Sequence, residues 1–211
     1  MTALLQKYPR LDCCIEDIEK AYVLLNGCYQ WKGMVMTCGN GGSAADSEHM
    51  VGELMKGFRL KRPLPDSETA RMRKLFTEDG DYIGQHLQGA LPSISLASNI
   101  PLITALANDV AADMVYAQQV YGYGKRGDVL ICFSTSGNSM NIIRAIQVAK
   151  SMDIDVIGFT GGDGGRMKEI CDVTIIVPES STPEIQELHL PVYHAICMQL
   201  EEDFFNSHGK D

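Results

Sequence analysis

The sequence lacks any apolar run of the roughly 20 residues that a membrane-spanning helix needs. Its first residues also lack the basic stretch and following apolar run of an export signal. We therefore expect a soluble protein of the cytoplasm. Positive charge is scarce as well, since the formal net charge is -9. An extended contact with nucleic acid phosphates would work against this charge, so neither a nucleic acid nor a membrane is an expected partner.

Paired cysteine motifs are also missing. The chain has seven cysteines, an odd number, and no two of them are spaced as CxxC. This pattern argues against a disulfide framework or a zinc ribbon. It indicates reduced thiols, most of them serving as small core residues.

Nucleotide-binding motifs are absent or incomplete. No segment matches the GxxxxGK[ST] pattern of a P-loop. A loose GxGxxG match begins at Gly39, but its third glycine is replaced by Ala44. A nucleotide cofactor is therefore not expected.

Apolar segments alternate with amphipathic ones along most of the chain. Short apolar runs predict five strands, at about 33–38, 93–97, 129–133, 155–160 and 173–177. Helical periodicity is clearest at about 12–29, 43–57, 113–121, 139–151 and 183–204. Within the last of these, Pro191 predicts a kink. The alternation predicts an α/β fold in one domain, with a parallel sheet of about five strands covered on both faces.

Residues 59–92 form the least regular segment. They are rich in charge and are broken by Pro63 and Pro65. We interpret the segment as an excursion that carries a short helix. Two roles are open for it: a lid or subunit contact, or a solvated surface insertion.

Two glycine- and serine-rich turns each follow a predicted strand. Residues 38–43 read CGNGGS and residues 134–139 read STSGNS, and each turn opens a predicted helix. Such turns expose N–H groups and hydroxyls at a helix N-terminus, where an anion is favoured. Ligands of parallel sheets also lie beyond the carboxyl ends of the strands. The pair therefore predicts a phosphorylated ligand, although glycine can occupy either turn for steric reasons alone.

Four side chains could take part in chemistry at a shared site. His49 and Glu53 are four residues apart and share one face of the helix after the first turn. Gln186 and His194 are eight apart and lie close to one face of the last helix. Taken singly, these are typical of a surface pair and of structural helical residues. Together they offer a carboxylate and imidazoles that can move protons.

These stretches resemble the SIS (sugar isomerase) domain proteins, and among them most closely the phosphoheptose isomerases. Further matching segments are HMVGEL at 49–54, AND at 107–109, GDVL at 127–130, GGDGG at 161–165 and IQELH at 185–189. The resemblance implies a three-layer, flavodoxin-like or Rossmann-like fold. It also implies that residues 1–211 form a single SIS domain, with an N-terminal helical segment at 1–30 and an insertion at about 59–92.

The resemblance further implies an aldose–ketose isomerase. Such an enzyme interconverts sedoheptulose 7-phosphate and D-glycero-D-manno-heptose 7-phosphate through an enediolate, here with Glu53 as base and His194 as acid. Some members bind zinc through residues that match His49, Glu53, Gln186 and His194. The implied substrate-binding residues are Asn40, Gly41, Ser43, Asp109, Ser134, Thr135, Ser136, Ser139 and Gln186. Members are usually homotetramers whose sites use residues from more than one subunit.

Two other readings of the resemblance are open. One SIS relative is a tetrameric scaffold that binds a replication initiator, but it lacks the residues matching Glu53 and His194. Other relatives isomerise amino sugars, reverse glycation or cleave lactyl ethers, and these are often longer or carry two such domains. The presence of both Glu53 and His194 favours an enzyme.

Overall fold

The computed structural model describes residues 1–206. Within them, one sheet is formed by the strands Val35–Gly39 (β1), Ser93–Ser95 (β2), Val129–Phe133 (β3), Asp155–Thr160 (β4) and Val173–Ile176 (β5). The strand order is β2-β1-β3-β4-β5, and every pairing is parallel. This is the flavodoxin-like order. In such sheets a ligand binds between β1 and β3, where the order in which the chain adds strands to the sheet reverses. The predicted α/β fold is confirmed.

Helices precede the sheet and connect its strands. In chain order they are Thr2–Lys7 (α1), Ile15–Gln30 (α2), Gly42–Met55 (α3), Asp66–Leu75 (α4), Gly80–His86 (α5), Ile100–Asp109 (α6), Ala117–Tyr123 (α7), Met140–Ser151 (α8), Met167–Ile170 (α9) and Thr182–Phe205 (α10). Segments of 3-10 helix occupy Pro9–Cys14 and Ala112–Met114. Among residues 1–206, no helix combines the length and the apolar character needed to cross a lipid bilayer.

The sheet buries both of its faces. Alternate residues of β3 belong to two different apolar clusters: Ile131 and Phe133 pack with α2 and α10, whereas Leu130 and Cys132 pack with α8. Since side chains alternate between faces along a strand, a strand covered on both sides must be apolar throughout. This explains why β3 reads as a continuous apolar run, and the expectation of helices on both faces is confirmed.

All seven cysteines are free thiols, as expected, and five of them are buried. Cys38 and Cys132 lie on neighbouring strands with their sulfur atoms 3.6 Å apart. Burial raises the pKa of the Cys14 and Cys28 thiols to about 12. These side chains therefore act as small apolar residues of the interior.

Several predicted helix bounds differ from the structure. The first long helix begins at Ile15 because the preceding residues wind into a 3-10 turn. The helix expected at 113–121 begins only at Ala117, after a second 3-10 turn. α10 continues through Pro191, and the kink expected there stays a prediction.

The segment at 59–92 contains two helices where one was expected. α4 and α5 form a hairpin whose base is closed by an antiparallel bridge between Pro63 and Gln88. The helices pack closely at Gly80, where a Cβ atom would lie 2.4 Å from the Met72 carbonyl oxygen. α4 buries none of its residues. The role of this hairpin stays a prediction, as does the single-domain assignment of 1–211, whose last five residues lie outside the described ones.

Candidate active site

The two glycine- and serine-rich turns lie side by side at the carboxyl edge of the sheet. β1 pairs with β3 so that Gly39 is opposite Phe133, which brings the following turns together. Asn40 of the first turn and Asn141, near the start of α8, exchange two reciprocal amide hydrogen bonds of 2.9 and 2.8 Å. Sequence reasoning missed Asn141, because nothing in its local pattern marks it as a partner of the first turn.

The second turn has the geometry of an anion site. Gly137 adopts a φ of +64°, and a Cβ atom there would lie 2.1 Å from the Gly164 carbonyl oxygen, so glycine is required. Ser134 donates to Ser139 over 3.2 Å, and α8 begins directly after Ser139. The turn therefore gathers hydroxyls and backbone N–H groups at the N-terminus of a 12-residue helix.

The first turn meets the last helix through Gln186. A Cβ atom at Gly42 would lie 2.8 Å from the Gln186 amide nitrogen. That nitrogen also donates to Ser43 Oγ over 3.5 Å. Gly41 has a φ of +56° and precedes the first residue of α3. Glycine at 41 and 42 thus lets the chain enter α3 sharply and lets α10 approach it.

Three ionisable side chains converge between α3 and α10. His49 Nε2 lies 3.1 Å from Glu53 Oε1. His194 approaches from α10, with its ring centroid 5.0 Å from that of His49. One ligand-type atom from each of His49, Glu53 and His194 lies within 4.8 Å of the others. A carboxylate from an early helix and an imidazole from the last one therefore do meet within one chain.

Two atoms of this cluster are buried without a hydrogen-bond partner among the described residues, Glu53 Oε2 and His194 Nε2. Lys56 Nζ approaches Glu53 Oε2 at 3.6 Å, which is an ion-pair distance. Burial lowers the pKa of His194, and nearby His49 lowers it further while Glu53 opposes the shift. His194 is therefore biased toward its neutral form, with one nitrogen lone pair available.

The cluster fits a zinc ion in its donor set. Two imidazoles and a carboxylate are common zinc ligands, with bonds of about 2.0–2.2 Å. Such an ion would satisfy His194 Nε2 and Glu53 Oε2, which lack a hydrogen bond among the described residues, since Lys56 comes no closer to Glu53 Oε2 than 3.6 Å. The three donor atoms lie within 4.8 Å of one another, so small side-chain movements would bring them to bonding distance of one ion. The recorded contact of Gln186, the fourth expected ligand, is with Ser43.

Asp109 is not brought to this cluster. Its side chain is exposed at the end of α6 and accepts a hydrogen bond of 2.7 Å from Asn108. No contact recorded for residues 1–206 joins Asp109 to Glu53 or His194.

Two further residues, missed from the sequence, surround His49. Tyr193 is wholly buried, and its hydroxyl lies 3.0 Å from His49 Nδ1 and donates to Asp46 Oδ1 over 3.4 Å. Burial raises the pKa of Asp46, while the Tyr193 hydrogen bond and His49 lower it. Asp46 precedes His49 by three residues on α3, so its position could have been inferred from helical spacing. Tyr193 offered no such clue.

A buried ion pair fixes the end of α3 against α10. Arg62 donates to the backbone carbonyls of Glu53 and Leu54 over 2.9 and 2.8 Å, and to Glu201 over 2.8 Å. Burial acts to raise the pKa of Glu201, but hydrogen bonds from three backbone N–H groups and Arg62 outweigh it and lower the pKa. The guanidinium thus caps the helix that carries Glu53 and ties it to the helix that carries His194.

Comparison with known proteins shows the family of this chain. The SIS domain model matches residues 10–85 and 70–161. The phosphoheptose isomerase of Rhodospirillum rubrum is 38% identical over 193 residues, which cover 92% of this chain and 89% of that protein. The chain belongs to the phosphoheptose isomerase family of SIS-domain proteins. Another member, from Clostridium acetobutylicum, is also 38% identical, over 90% of this chain and 84% of its own length.

Solved structures of phosphoheptose isomerases share the fold. The enzyme from Neisseria gonorrhoeae superposes with a TM-score of 0.74 at 31% identity, and the one from Francisella tularensis with a TM-score of 0.76 at 26% identity. In both comparisons 95% of this chain and 94% of the other are covered. The likeness therefore extends over nearly the whole chain.

Proposed function

We propose that this chain interconverts sedoheptulose 7-phosphate and D-glycero-D-manno-heptose 7-phosphate. The observation that carries the proposal is the meeting of Glu53 and His194 beside two turns suited to a phosphate. Membership of the phosphoheptose isomerase family supports the same substrate class.

The sugar phosphate would be oriented by the two turns. Its phosphate takes the hydroxyls and N–H groups of the second turn, from Ser134, Thr135, Ser136 and Ser139, at the N-terminus of α8. Asn40, Gly41, Ser43 and Gln186 then lie along the sugar. This orientation directs the carbonyl end toward Glu53 and His194.

The proton transfers follow from the types of side chain present. The Glu53 carboxylate takes the proton from C1 of the ketose, and the C1–H electrons form the C1–C2 double bond of an enediolate. His194 donates a proton to the C2 oxygen. Glu53 then returns its proton to C2, while His194 takes the C1 hydroxyl proton, which restores its own, and the C1 aldehyde forms. The reverse sequence converts the aldose into the ketose.

We also propose that His49, Glu53, Gln186 and His194 are able to hold zinc. When bound, the ion would polarise the carbonyl group and stabilise negative charge on its oxygen. A glutamate bound tightly to an ion is a poorer base. The acid–base roles of Glu53 and His194 are therefore argued without the ion.

The function is tested by assaying five-, six- and seven-carbon ketose phosphates for aldose formation, with Glu53→Gln as the main variant. We expect turnover of the seven-carbon substrate, and loss of about 100- to 10,000-fold in kcat in the variant. Calorimetric titration should show that the variant still binds the phosphosugar. Glu48→Gln, five residues earlier on α3, is the matched control and should keep its activity. Unchanged turnover in Glu53→Gln would remove the base from the mechanism.

Zinc is tested separately by elemental analysis of the purified protein, followed by chelation. We expect stoichiometric zinc and a loss of turnover that added zinc restores, because two buried atoms of the cluster lack a hydrogen bond among the described residues. Full activity in protein that contains no metal would exclude this part of the proposal.

We further propose that the protein works in the cytoplasm as a homotetramer with sites at subunit interfaces. The exposed position of Asp109, away from the cluster of its own chain, is what a residue serving a neighbouring subunit would show. The free thiols agree with a reducing compartment.

A further inference from the structure

Tyr193 is a buried residue whose hydroxyl connects two polar groups of another helix. Its ring lies on α10 directly before His194, and none of it is exposed. The hydroxyl is 3.0 Å from His49 Nδ1 and 3.4 Å from Asp46 Oδ1, both on α3. A hydroxyl in the interior between these groups must be ordered by them.

The hydrogen-bonding capacities of the three groups favour one arrangement of protons. A hydroxyl carries one proton, and an ionised carboxylate can only accept. If Tyr193 donates to Asp46, its oxygen is free to accept the Nδ1 proton of His49. If Tyr193 instead donated to His49, Asp46 Oδ1 would lose its recorded partner. Asp46 Oδ2 is already buried without one among residues 1–206, and leaving both oxygens unpaired is costly.

We infer that Tyr193 and Asp46 are positioning residues that hold His49 in place and keep its proton on Nδ1. Nε2 then presents a lone pair 3.1 Å from Glu53 Oε1. Two acceptors at this distance repel unless a cation or a substrate hydroxyl proton lies between them. Tyr193 and Asp46 thus keep an electron pair on the side of His49 that faces Glu53, as a metal ligand or a proton acceptor requires.

This inference deepens the proposed function, on which its kinetic consequences rest. The tautomer of His49 does not depend on the reaction and can be read without it. Imidazole nitrogen NMR of the full chain, with His49 assigned by its absence in His49→Gln, should show the proton on Nδ1. In Tyr193→Phe, which removes a single oxygen, we expect the population to move toward the Nε2–H form.

The kinetic and binding tests use the same variant. Tyr193→Phe should lower kcat about 10- to 100-fold with KM unchanged, and should weaken Zn²⁺ binding by a similar factor, since such supporting partners have effects of this size. Tyr29→Phe is the matched control. Tyr29 is also a buried tyrosine, with its hydroxyl 2.7 Å from Ser93 Oγ, but it lies outside the cluster. It should change neither the tautomer nor kcat.

The link to Asp46 is tested by a double-mutant cycle. Since Asp46 acts through the Tyr193 hydroxyl, Asp46→Asn should lower kcat in the wild-type background and have little further effect in Tyr193→Phe. Fully additive losses would overturn the link. A wild-type His49 protonated on Nε2, or a tautomer unaffected by Tyr193→Phe, would overturn the inference even if the isomerase activity is found. Absence of that activity with the expected tautomer change would count against the proposed function alone.

Discussion

His189 lies on α10, like His194, but its role is structural. Its ring is fully buried near Phe133 and Phe159, and its Nε2 lies 3.3 Å from the Thr160 carbonyl oxygen. Burial lowers its pKa to about 4, and the contact with Thr160 only partly opposes this shift. The ring therefore stays neutral at neutral pH and belongs to the core.

This shift predicts a pH dependence of stability. The unfolded chain takes up a proton near the ordinary pKa of about 6.5, whereas the folded chain does so only near 4. The free energy of unfolding is therefore highest above pH 6.5 and falls as the pH drops toward 4, by on the order of 3 kcal/mol from this residue. Urea unfolding at several pH values measures this change in the free energy of unfolding. His189→Gln keeps a donor for Thr160, and its curve should lack this part of the fall; identical curves would contradict the prediction.

At the scale of elements, the ion pair of Arg62 and Glu201 joins α3, the segment after it and α10. Both side chains are at most 1% exposed, and their polar atoms are hydrogen-bonded within the described residues. Removing one partner of such a pair leaves a buried charge uncompensated. Removing Arg62 should also leave the backbone carbonyls of Glu53 and Leu54, at the end of α3, without this hydrogen-bond donor.

We therefore predict that Arg62→Met lowers the free energy of unfolding by about 3–5 kcal/mol. Chemical denaturation measures the change. The control is Arg73→Met, which removes the exposed pair of Arg73 with Asp81 and should cost less than about 1 kcal/mol. Equal effects of the two variants would show that the buried pair has no special role.

For the whole molecule, large apolar side chains remain on the surface of the single chain. Val110 and Tyr121 are 70% and 69% exposed, and Leu75, Phe76 and Tyr82 project from the α4–α5 hairpin. Such side chains often mark contacts between subunits. Their exposure supports the proposed homotetramer.

Sedimentation equilibrium tests the assembly directly. We expect a mass four times that of the 23.2 kDa chain, retained on dilution into the micromolar range. A monomer at every concentration would contradict the tetramer and would leave Asp109 without a proposed site to serve.

The strands and turns could be predicted from the sequence because they depend on residues that are close together in the chain. β3 and β4 have the predicted bounds, since a strand buried on both faces is apolar throughout and ends where polar turn residues begin. The α4–α5 hairpin was harder to predict from the sequence, because α4 buries no residue and so shows no apolar stripe. Its helices depend on close packing against each other at Gly80.

Three features follow from the amino-acid sequence without the fold: the alternation of strands and helices, the two glycine turns, and the helical spacing of His49 with Glu53. Each of these depends on residues near one another in the chain. The folded chain was needed to show that His194 meets Glu53, that Tyr193 connects Asp46 with His49, and that Arg62 pairs with Glu201. These partners are 139 to 147 residues apart, and no local pattern encodes which surfaces of two distant helices will pack together.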